Sequence, residues 1–184
     1  MRYLTYNGNG PFTGAYIQDL LPEHEASYIE VDEATYLNWC NLSYQDGTIV
    51  PTPGPSTAQQ LADAKASQTA IVSAACQDAI VAGFTSSALG ATHTYPAKPT
   101  DQQNLNASVV ASILPGVAAG WTTPFWCADA SGAWAYVQHT AAQIQQVGMD
   151  GKAAILACLT KNQQLATQID AATTVEAVQA ITWS

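Results

Sequence analysis

The first 50 residues alternate short aromatic-rich runs with turn-forming pairs. RYLTY and PFTGAYI flank NGNG, and SYQ and TIVP flank Asp46-Gly47. Asn-Gly and Asp-Gly pairs between such runs are typical of β-hairpins. Between them, VDEATYLNWCN predicts a short helix with Asp32 as its N-cap. The pattern therefore predicts a small aromatic-rich β/α unit over residues 1–50.

A Pro/Gly-rich stretch separates this unit from the rest of the chain. PTPGPS contains three prolines and a glycine, residues that end helices and strands. After it, Ala, Gln, Ser and Thr dominate the composition. We therefore predict a linker over residues 51–56 and a second domain over residues 57–184.

Four segments of the second domain open with a capping box, in which Ser or Thr is followed three residues later by Gln or Glu. They are STAQ (56–59), TDQQ (100–103), TAAQ (140–143) and TTVE (173–176). These segments predict a first helix ending at Gly83, a second over about 101–114, a long third from about 141 and a short fourth. The first helix carries a stripe of mostly small side chains: Leu61, Ala64, Gln68, Val72, Ala75 and Ala79. That stripe suits either a trimeric bundle of three copies or packing against the third helix.

Two further β-hairpins lie between the helices. GFTSSALGATHTYPA places a turn near Leu89-Gly90, and PFWCADASGAWAYVQH places one over residues 129–132. In the second hairpin Trp134 and Tyr136 share one face, and Ala135 and Val137 share the other. The predicted fold class is α+β: a small β-rich N-terminal unit, a Pro/Gly linker, then helices alternating with two β-hairpins and a long C-terminal helix.

Charge and cysteine spacing narrow the range of functions. Charged residues make up 10% of the chain, and the net charge of −9 includes only five basic residues, so nucleic-acid binding is not expected. The chain shows neither an apolar run of membrane-spanning length nor a secretory signal, so no membrane association is expected. The spacing of the four cysteines is not that of a metal site, so we expect free thiols in a reducing cytosol, with no metal and no cofactor. These cysteines are Cys40, Cys76, Cys127 and Cys158.

The segment TSSALGATHTYPAKPTD contains the residue types of a serine hydrolase. A serine nucleophile needs a histidine within hydrogen-bond reach and an acid that orients the histidine. Ser86 and Ser87 fall on a predicted strand without a G-x-S-x-G elbow, and Asp101 falls in the first turn of a helix, where its charge suits the helix dipole. We therefore expect no catalytic residues here, and a protein that is not an enzyme.

Aromatic residues are concentrated between residues 121 and 136. Two interpretations are open: a local hydrophobic core under the third helix, or an exposed face that docks a partner chain or stacks on sugar rings. The candidate partner-binding residues are Trp121, Phe125, Trp126, Trp134 and Tyr136.

Three stretches recur together, in order, in a known family: GFTSSALGATHTYPAKPTDQQNL, WCADASGAWAYVQHTAAQI and LATQIDAATTVEAVQAITW. Through them, residues 56–184 resemble a domain of unknown function (DUF4376) that is encoded in bacteriophage tail-fibre gene clusters. Residues 1–55 carry VDEATY, a Gly-x-x-Val turn and the Pro/Gly linker. In these features they resemble the N-terminal part of phage tail fibre assembly proteins, though less closely.

The resemblance implies a viral protein that works at the phage tail and that has no catalytic residues. The expectation is a tail-appendage structural protein, a virion component in host attachment, that binds the tail fibre or a baseplate or tail protein. One alternative is a transient tail fibre assembly chaperone. Another class is a host-surface carbohydrate-binding module or polysaccharide-degrading enzyme. The expected location is the host cytoplasm during assembly and the virion tail afterwards, and the favoured assembly of copies is a trimer.

Overall fold

A computed structural model describes residues 1–21 and 27–184 of the chain. It is a mixed α+β structure, 49% helical and 23% strand, which confirms the predicted fold class. The described residues form two compact units, Met1–Thr57 and Ala58–Ser184.

The first unit contains two three-stranded antiparallel sheets and one short α-helix, α1 (Glu33–Leu37). In chain order its strands are β1 (Arg2–Thr5), β2 (Gly10–Pro11), β3 (Gly14–Ile17), β4 (Tyr28–Val31), β5 (Leu42–Gln45) and β6 (Thr48–Pro51). The sheets have the orders β3-β1-β4 and β2-β5-β6. Asp32 caps α1 as predicted, because its Oδ1 accepts the N–H of Thr35 at 2.7 Å.

The two predicted turns of this unit differ in their outcome. At Asp46-Gly47 both residues have positive φ, 48° and 90°, and the turn joins β5 directly to β6. The NGNG turn is not tight, because Thr5 pairs with Gly14 and the loop spans residues 6–13. The loop opens because Gly10 and Pro11 pair with β5 and because the Asn9 side chain donates to Asp46 Oδ1 at 2.8 Å.

The second unit combines four α-helices with one four-stranded antiparallel sheet of order β10-β9-β8-β7. Its elements are α2 (Thr57–Val81), β7 (Phe84–Ser86), β8 (His93–Tyr95), α3 (Pro99–Ile113), β9 (Thr122–Ala128), β10 (Trp134–Thr140), α4 (Ala141–Ala171) and α5 (Val175–Gln179). Both predicted hairpins are present. They join into one sheet where Thr94 of β8 pairs with Ala128 of β9.

The helix starts follow local hydrogen bonding, which corrects two of the predictions. Thr140 and Gln143 form the predicted capping box of α4. The capping box predicted at Thr100 is wrong: α3 begins at Pro99, since proline suits the first helical position, and Asp101 accepts the N–H of Lys98 at 3.0 Å.

The start of α5 lies one residue later than predicted. Thr174, rather than Thr173, is the N-cap, because its Oγ1 accepts the N–H of Ala177 at 3.1 Å. The acidic Glu176 still lies in the first turn, where its charge favours the helix N-terminus.

Two clusters form the core of the second unit. Between the sheet and the helices α3 and α4 lie Tyr95, Leu105, Phe125, Cys127, Ile144 and Val147. In the other cluster Val72 of α2 packs with Ile169 of α4 and Val178 of α5, so the stripe on α2 packs against the long helix. Ile113, the last residue of α3, lies outside both clusters and is 63% exposed.

Candidate partner-binding surface

Three exposed aromatic side chains lie on the outer face of the β9–β10 hairpin. Trp126, Trp134 and Tyr136 are 39%, 44% and 72% exposed. The Trp126 and Trp134 rings stack with centroids 6.1 Å apart, and the Tyr136 ring lies 4.9 Å from that of Trp126. We call these three residues the aromatic surface. Their mutual contacts restrict the rotamers, so the surface is ordered before any partner binds.

Strand alternation separates this surface from the other two candidate aromatics. Trp126 pairs with Tyr136 across the ladder, so both side chains lie on the same face. Phe125 points to the opposite face and is buried in the core. Trp121 packs half-buried against the same core. Of the five residues singled out in the sequence, the structure brings three together at the surface.

The turn of the hairpin is organised by Asp129. Its Oδ1 accepts hydrogen bonds from the Ser131 hydroxyl at 2.6 Å, the Ser131 N–H at 2.8 Å and the Ala133 N–H at 3.1 Å. These bonds, with the Ser131 hydroxyl first, hold the pKa of the Asp129 carboxyl below its ordinary value. Gly132 completes the turn at φ 82°, a conformation that favours glycine. The turn thereby fixes the strand register that sets Trp126 beside Trp134 and Tyr136.

A small cleft of about 210 Å³ adjoins the aromatic surface. It is lined by Pro96, Asp101, Asn104, Phe125, Trp126 and Tyr136. Within the described part of the chain, Asp101 uses Oδ2 to accept the Lys98 N–H, while its Oδ1 and the Asn104 amide have no hydrogen-bond partner. The aromatic rings of such a cleft can stack on the ring of a ligand. The free carboxylate oxygen and the side-chain amide can form hydrogen bonds with hydroxyl groups of that ligand. This cleft could not be predicted from the sequence, because α3 contributes to it only through tertiary packing.

Ser86 is hydrogen-bonded to an acid, but not to the one considered in the sequence. Its hydroxyl donates to Asp150 Oδ2 of α4 at 2.5 Å, and Gln146 donates to Asp150 Oδ1 at 2.8 Å. His93 is opposite Ser86 in the ladder, yet its Nδ1 lies 2.9 Å from the carbonyl oxygen of Ala91. No hydrogen bond joins His93 to Ser86 among the described residues. The arrangement therefore ties β7 to α4 and gives the serine no histidine base.

His139 and Tyr95 form a buried polar pair that the sequence reasoning missed. A histidine at the end of a strand, next to a helix start, would be expected to be partly exposed, but the His139 side chain is fully buried. The Val137 carbonyl lies 2.8 Å from Nδ1, so Nδ1 carries the proton and Nε2 accepts the Tyr95 hydroxyl at 2.9 Å. Burial lowers the pKa of His139 and raises the pKa of Tyr95 and of the neighbouring Cys127 thiol. The sequence did contain a signal for this burial. His139 lies two residues after the inward-facing Val137 on the same strand, so both side chains point to the same face of the sheet.

An apolar groove of about 590 Å³ runs between α3 and α4 near the end of α2. Its lining includes Ile80, Leu105, Val109, Met149 and Leu156. Met149 and Leu156 are 59% and 48% exposed, and their seven-residue spacing puts them on one face of α4. That spacing was the available sequence signal for the groove.

Residues 1–21 and 27–184 contain neither a candidate metal-ion site nor a helix suited to crossing a membrane. In this range no three His, Cys, Asp or Glu side chains form a group that could hold a metal ion. None of the helices described is both long and apolar enough to span a bilayer. Cys76 and Cys158 approach each other between α2 and α4, where the Cys76 thiol lies 3.5 Å from the Cys158 carbonyl oxygen.

Comparison with known proteins yields a family match. Neither the curated proteins nor the solved structures yield a similar chain. One family model, described as Domain of unknown function (DUF4376), matches residues 63–182, which include every element that forms the aromatic surface and its cleft. Because the match covers more than half of the chain, the protein belongs to the DUF4376 family.

Proposed function

We propose that this protein is a bacteriophage tail-appendage component that acts by binding other protein chains. The aromatic surface of β9 and β10 would contact the tail fibre or its attachment site on the tail. The supporting observation is that Trp126, Trp134 and Tyr136 are exposed together on one face of the β9–β10 hairpin, with their rings in mutual contact. Trp and Tyr supply a large part of the binding energy at protein interfaces, above all when they are ordered before binding.

A pull-down with the neighbouring tail-fibre gene product tests the proposal. Trp126→Ala is expected to weaken binding by about tenfold or more, the effect of losing an interface residue that contributes about 1.4 kcal/mol or more. Leu159→Ala is the matched control, because Leu159 is 46% exposed on α4 and lies outside the aromatic surface. Equal capture of the wild-type chain and the Trp126→Ala variant would contradict the role of the surface.

The same binding activity suits two roles, a structural part of the tail or a transient fibre assembly chaperone. Both place the protein in the host cytoplasm during assembly, and only the structural role keeps it in the virion. Mass spectrometry of purified particles separates them. Stoichiometric presence with the fibre supports the structural role, and absence from particles that carry complete fibres supports the chaperone.

A second candidate function, binding of host-surface carbohydrate, is favoured by the cleft beside Trp126 and Tyr136. The cleft combines the exposed rings of these two residues with the Asp101 carboxylate and the Asn104 side-chain amide. Titration with host surface polysaccharide is expected to change tryptophan fluorescence if sugars stack there. Asn104→Ala should weaken that response and leave fibre capture intact. An unchanged spectrum with silence on a glycan array would remove this candidate.

A further inference from the structure

One side of strand β10 is an open sheet edge. β9 pairs with all seven residues of β10, and no strand among the described residues pairs with its other side. At the start of the hairpin the Ala133 carbonyl accepts the Asp129 N–H at 3.1 Å, so the backbone groups of Ala133 face β9. Since this direction alternates along an antiparallel strand, the N–H and C=O groups of Trp134, Tyr136 and Gln138 face away from β9.

The last residue of β10 supports this assignment. The N–H of Thr140 has the same parity as that of Gln138, and it donates to Gln143 Oε1 of α4 at 2.9 Å, away from β9. Three consecutive outward positions upstream of Thr140 therefore remain available for strand pairing.

The β10 edge lacks the usual protection against strand pairing. Edge strands commonly carry Lys, Pro, inward charges or a bulge that blocks a further strand. WAYVQHT contains no Lys, Arg, Asp, Glu or Pro. Its register with β9 is continuous from Trp134 to Thr140, without a bulge. An unprotected seven-residue edge is a template for one more antiparallel strand.

We propose that this strand is β10 of a second copy of the chain, paired antiparallel about a two-fold axis at Tyr136. In this register the outward groups of Tyr136 meet those of Tyr136 of the partner subunit. Trp134 meets Gln138 of the partner subunit, and the reverse pair forms on the other side of the axis. Every outward N–H and C=O of these three positions then has a partner, as an isologous two-fold interface requires.

Charge and side-chain placement favour a second copy as the occupant. Each copy carries a net charge of −9, so copies associate most readily through a segment without charge, and β10 is such a segment. On the outer face, Tyr136 lies beside Tyr136 of the partner subunit, which joins the two aromatic surfaces into one. Aromatic cross-strand pairs of this kind stabilise sheets.

Light scattering coupled to size exclusion tests the pairing on the chain alone, independently of any tail partner. The wild-type protein is expected to approach twice the chain mass of 19.3 kDa as its concentration rises. Tyr136→Lys and Tyr136→Glu should each be monomeric, because like charges face each other across the axis. An equal mixture of the two variants should recover the dimer. Thr122→Lys and Thr122→Glu, on the same face of the interior strand β9, should leave the dimer unchanged.

A folding defect is separated from a pairing defect by a second variant. Gln138→Pro removes one outward N–H and leaves the ladder with β9 intact, so it should be monomeric with an unchanged circular dichroism spectrum. The proposal is overturned if the wild-type chain stays at 19.3 kDa at all concentrations, or if the Lys and Glu variants remain monomeric when mixed. Protection of the Tyr136 amide only in the presence of a tail-fibre segment would also overturn it, in favour of a foreign strand.

Discussion

The Tyr95 hydroxyl donates to His139 Nε2 at 2.9 Å, and neither side chain is exposed to solvent. The two residues belong to β8 and β10, which are not neighbours in the sheet, so their hydrogen bond crosses the inner face of β9. Phe125 of β9 contacts both rings, at centroid distances of 6.3 Å from each. The neutral imidazole is therefore part of the core that supports the hairpin from below.

Stability should fall as the pH drops below about 6.5, the ordinary pKa of histidine. Burial lowers the pKa of His139 in the folded state, so below pH 6.5 the unfolded chain binds a proton that the native chain does not. The free energy of unfolding therefore decreases by up to about 1.4 kcal/mol per pH unit, until the pH reaches the folded-state pKa of His139. Urea unfolding at a series of pH values between neutral and mildly acid measures it.

Histidine variants identify which group causes the slope of the unfolding free energy against pH. His139→Gln removes the titrating group and should flatten the dependence, although it lowers stability at neutral pH. His93→Gln changes a partly exposed histidine on β8, whose charge is the smallest of the causes acting on the pKa of His139, so this variant should keep most of the wild-type slope. Equal slopes in the wild-type chain and the His139→Gln variant would show that other groups cause the pH dependence.

Local signals predicted the elements of this fold better than their assembly. Asp46-Gly47, the Thr140–Gln143 capping box and the alternation around Trp134 each depend on neighbours in sequence, and each is found in the structure. The union of the two hairpins rests on one pairing, Thr94 with Ala128, between strands separated by α3. Nothing in the residues of either hairpin specifies that pairing, because it depends on how α3 and α4 pack.

The same limit applies to the candidate site. Strand parity predicted that Trp134 and Tyr136 share a face, and the same parity would have placed His139 inside. The partner of Ser86 was not predictable, because Asp150 lies 64 residues away on a helix whose approach to β7 depends on a glycine. The cleft formed by Asp101 and Asn104 likewise needs α3 docked beside β9.

Gly151→Ala should destabilise the protein, although alanine favours helices over glycine by about 1 kcal/mol. A Cβ at Gly151 would lie 2.9 Å from Cζ of Phe84, and the Phe84 ring is stacked on Tyr95 with centroids 5.5 Å apart. The overpacking should outweigh the helix propensity and lower the free energy of unfolding by about 1–3 kcal/mol. Thermal and urea unfolding measure the change.

A second substitution tests the stated cause of that loss. Phe84→Leu in the Gly151→Ala background should recover part of the stability, because the smaller side chain makes room for the added methyl group. If Gly151→Ala is more stable than the wild-type chain, β7 and α4 are packed less tightly than the structure indicates.

Asp129→Ala should loosen the hairpin turn and disorder the aromatic surface. The variant removes the acceptor for Ser131 and Ala133. Asp129→Asn keeps one side-chain oxygen acceptor and should have a smaller effect. Tryptophan fluorescence and the near-ultraviolet circular dichroism of the Trp126–Trp134 pair measure the change.

Because the folded-state pKa of Asp129 is lowered, its stabilising effect is complete above the ordinary carboxyl pKa and is lost as the pH falls through the lowered value. Identical spectra for all three chains at neutral pH would assign the turn no role in ordering the surface.

Ser86 should not react as a hydrolase nucleophile. Its hydroxyl proton is directed to Asp150 Oδ2, and its oxygen accepts the Ala88 N–H at 3.2 Å, so the group is used in joining β7 to α4. Ser86→Ala is expected to cost about 1–2 kcal/mol in unfolding experiments, the loss of a hydrogen-bonded buried hydroxyl. A fluorophosphonate probe followed by mass spectrometry should give no adduct with the wild-type chain, because Ser86 is buried and the carboxylate that accepts its proton is a weaker base than the histidine that activates serine nucleophiles. An adduct that disappears in Ser86→Ala would instead make Ser86 a nucleophile and require a catalytic function for this family member.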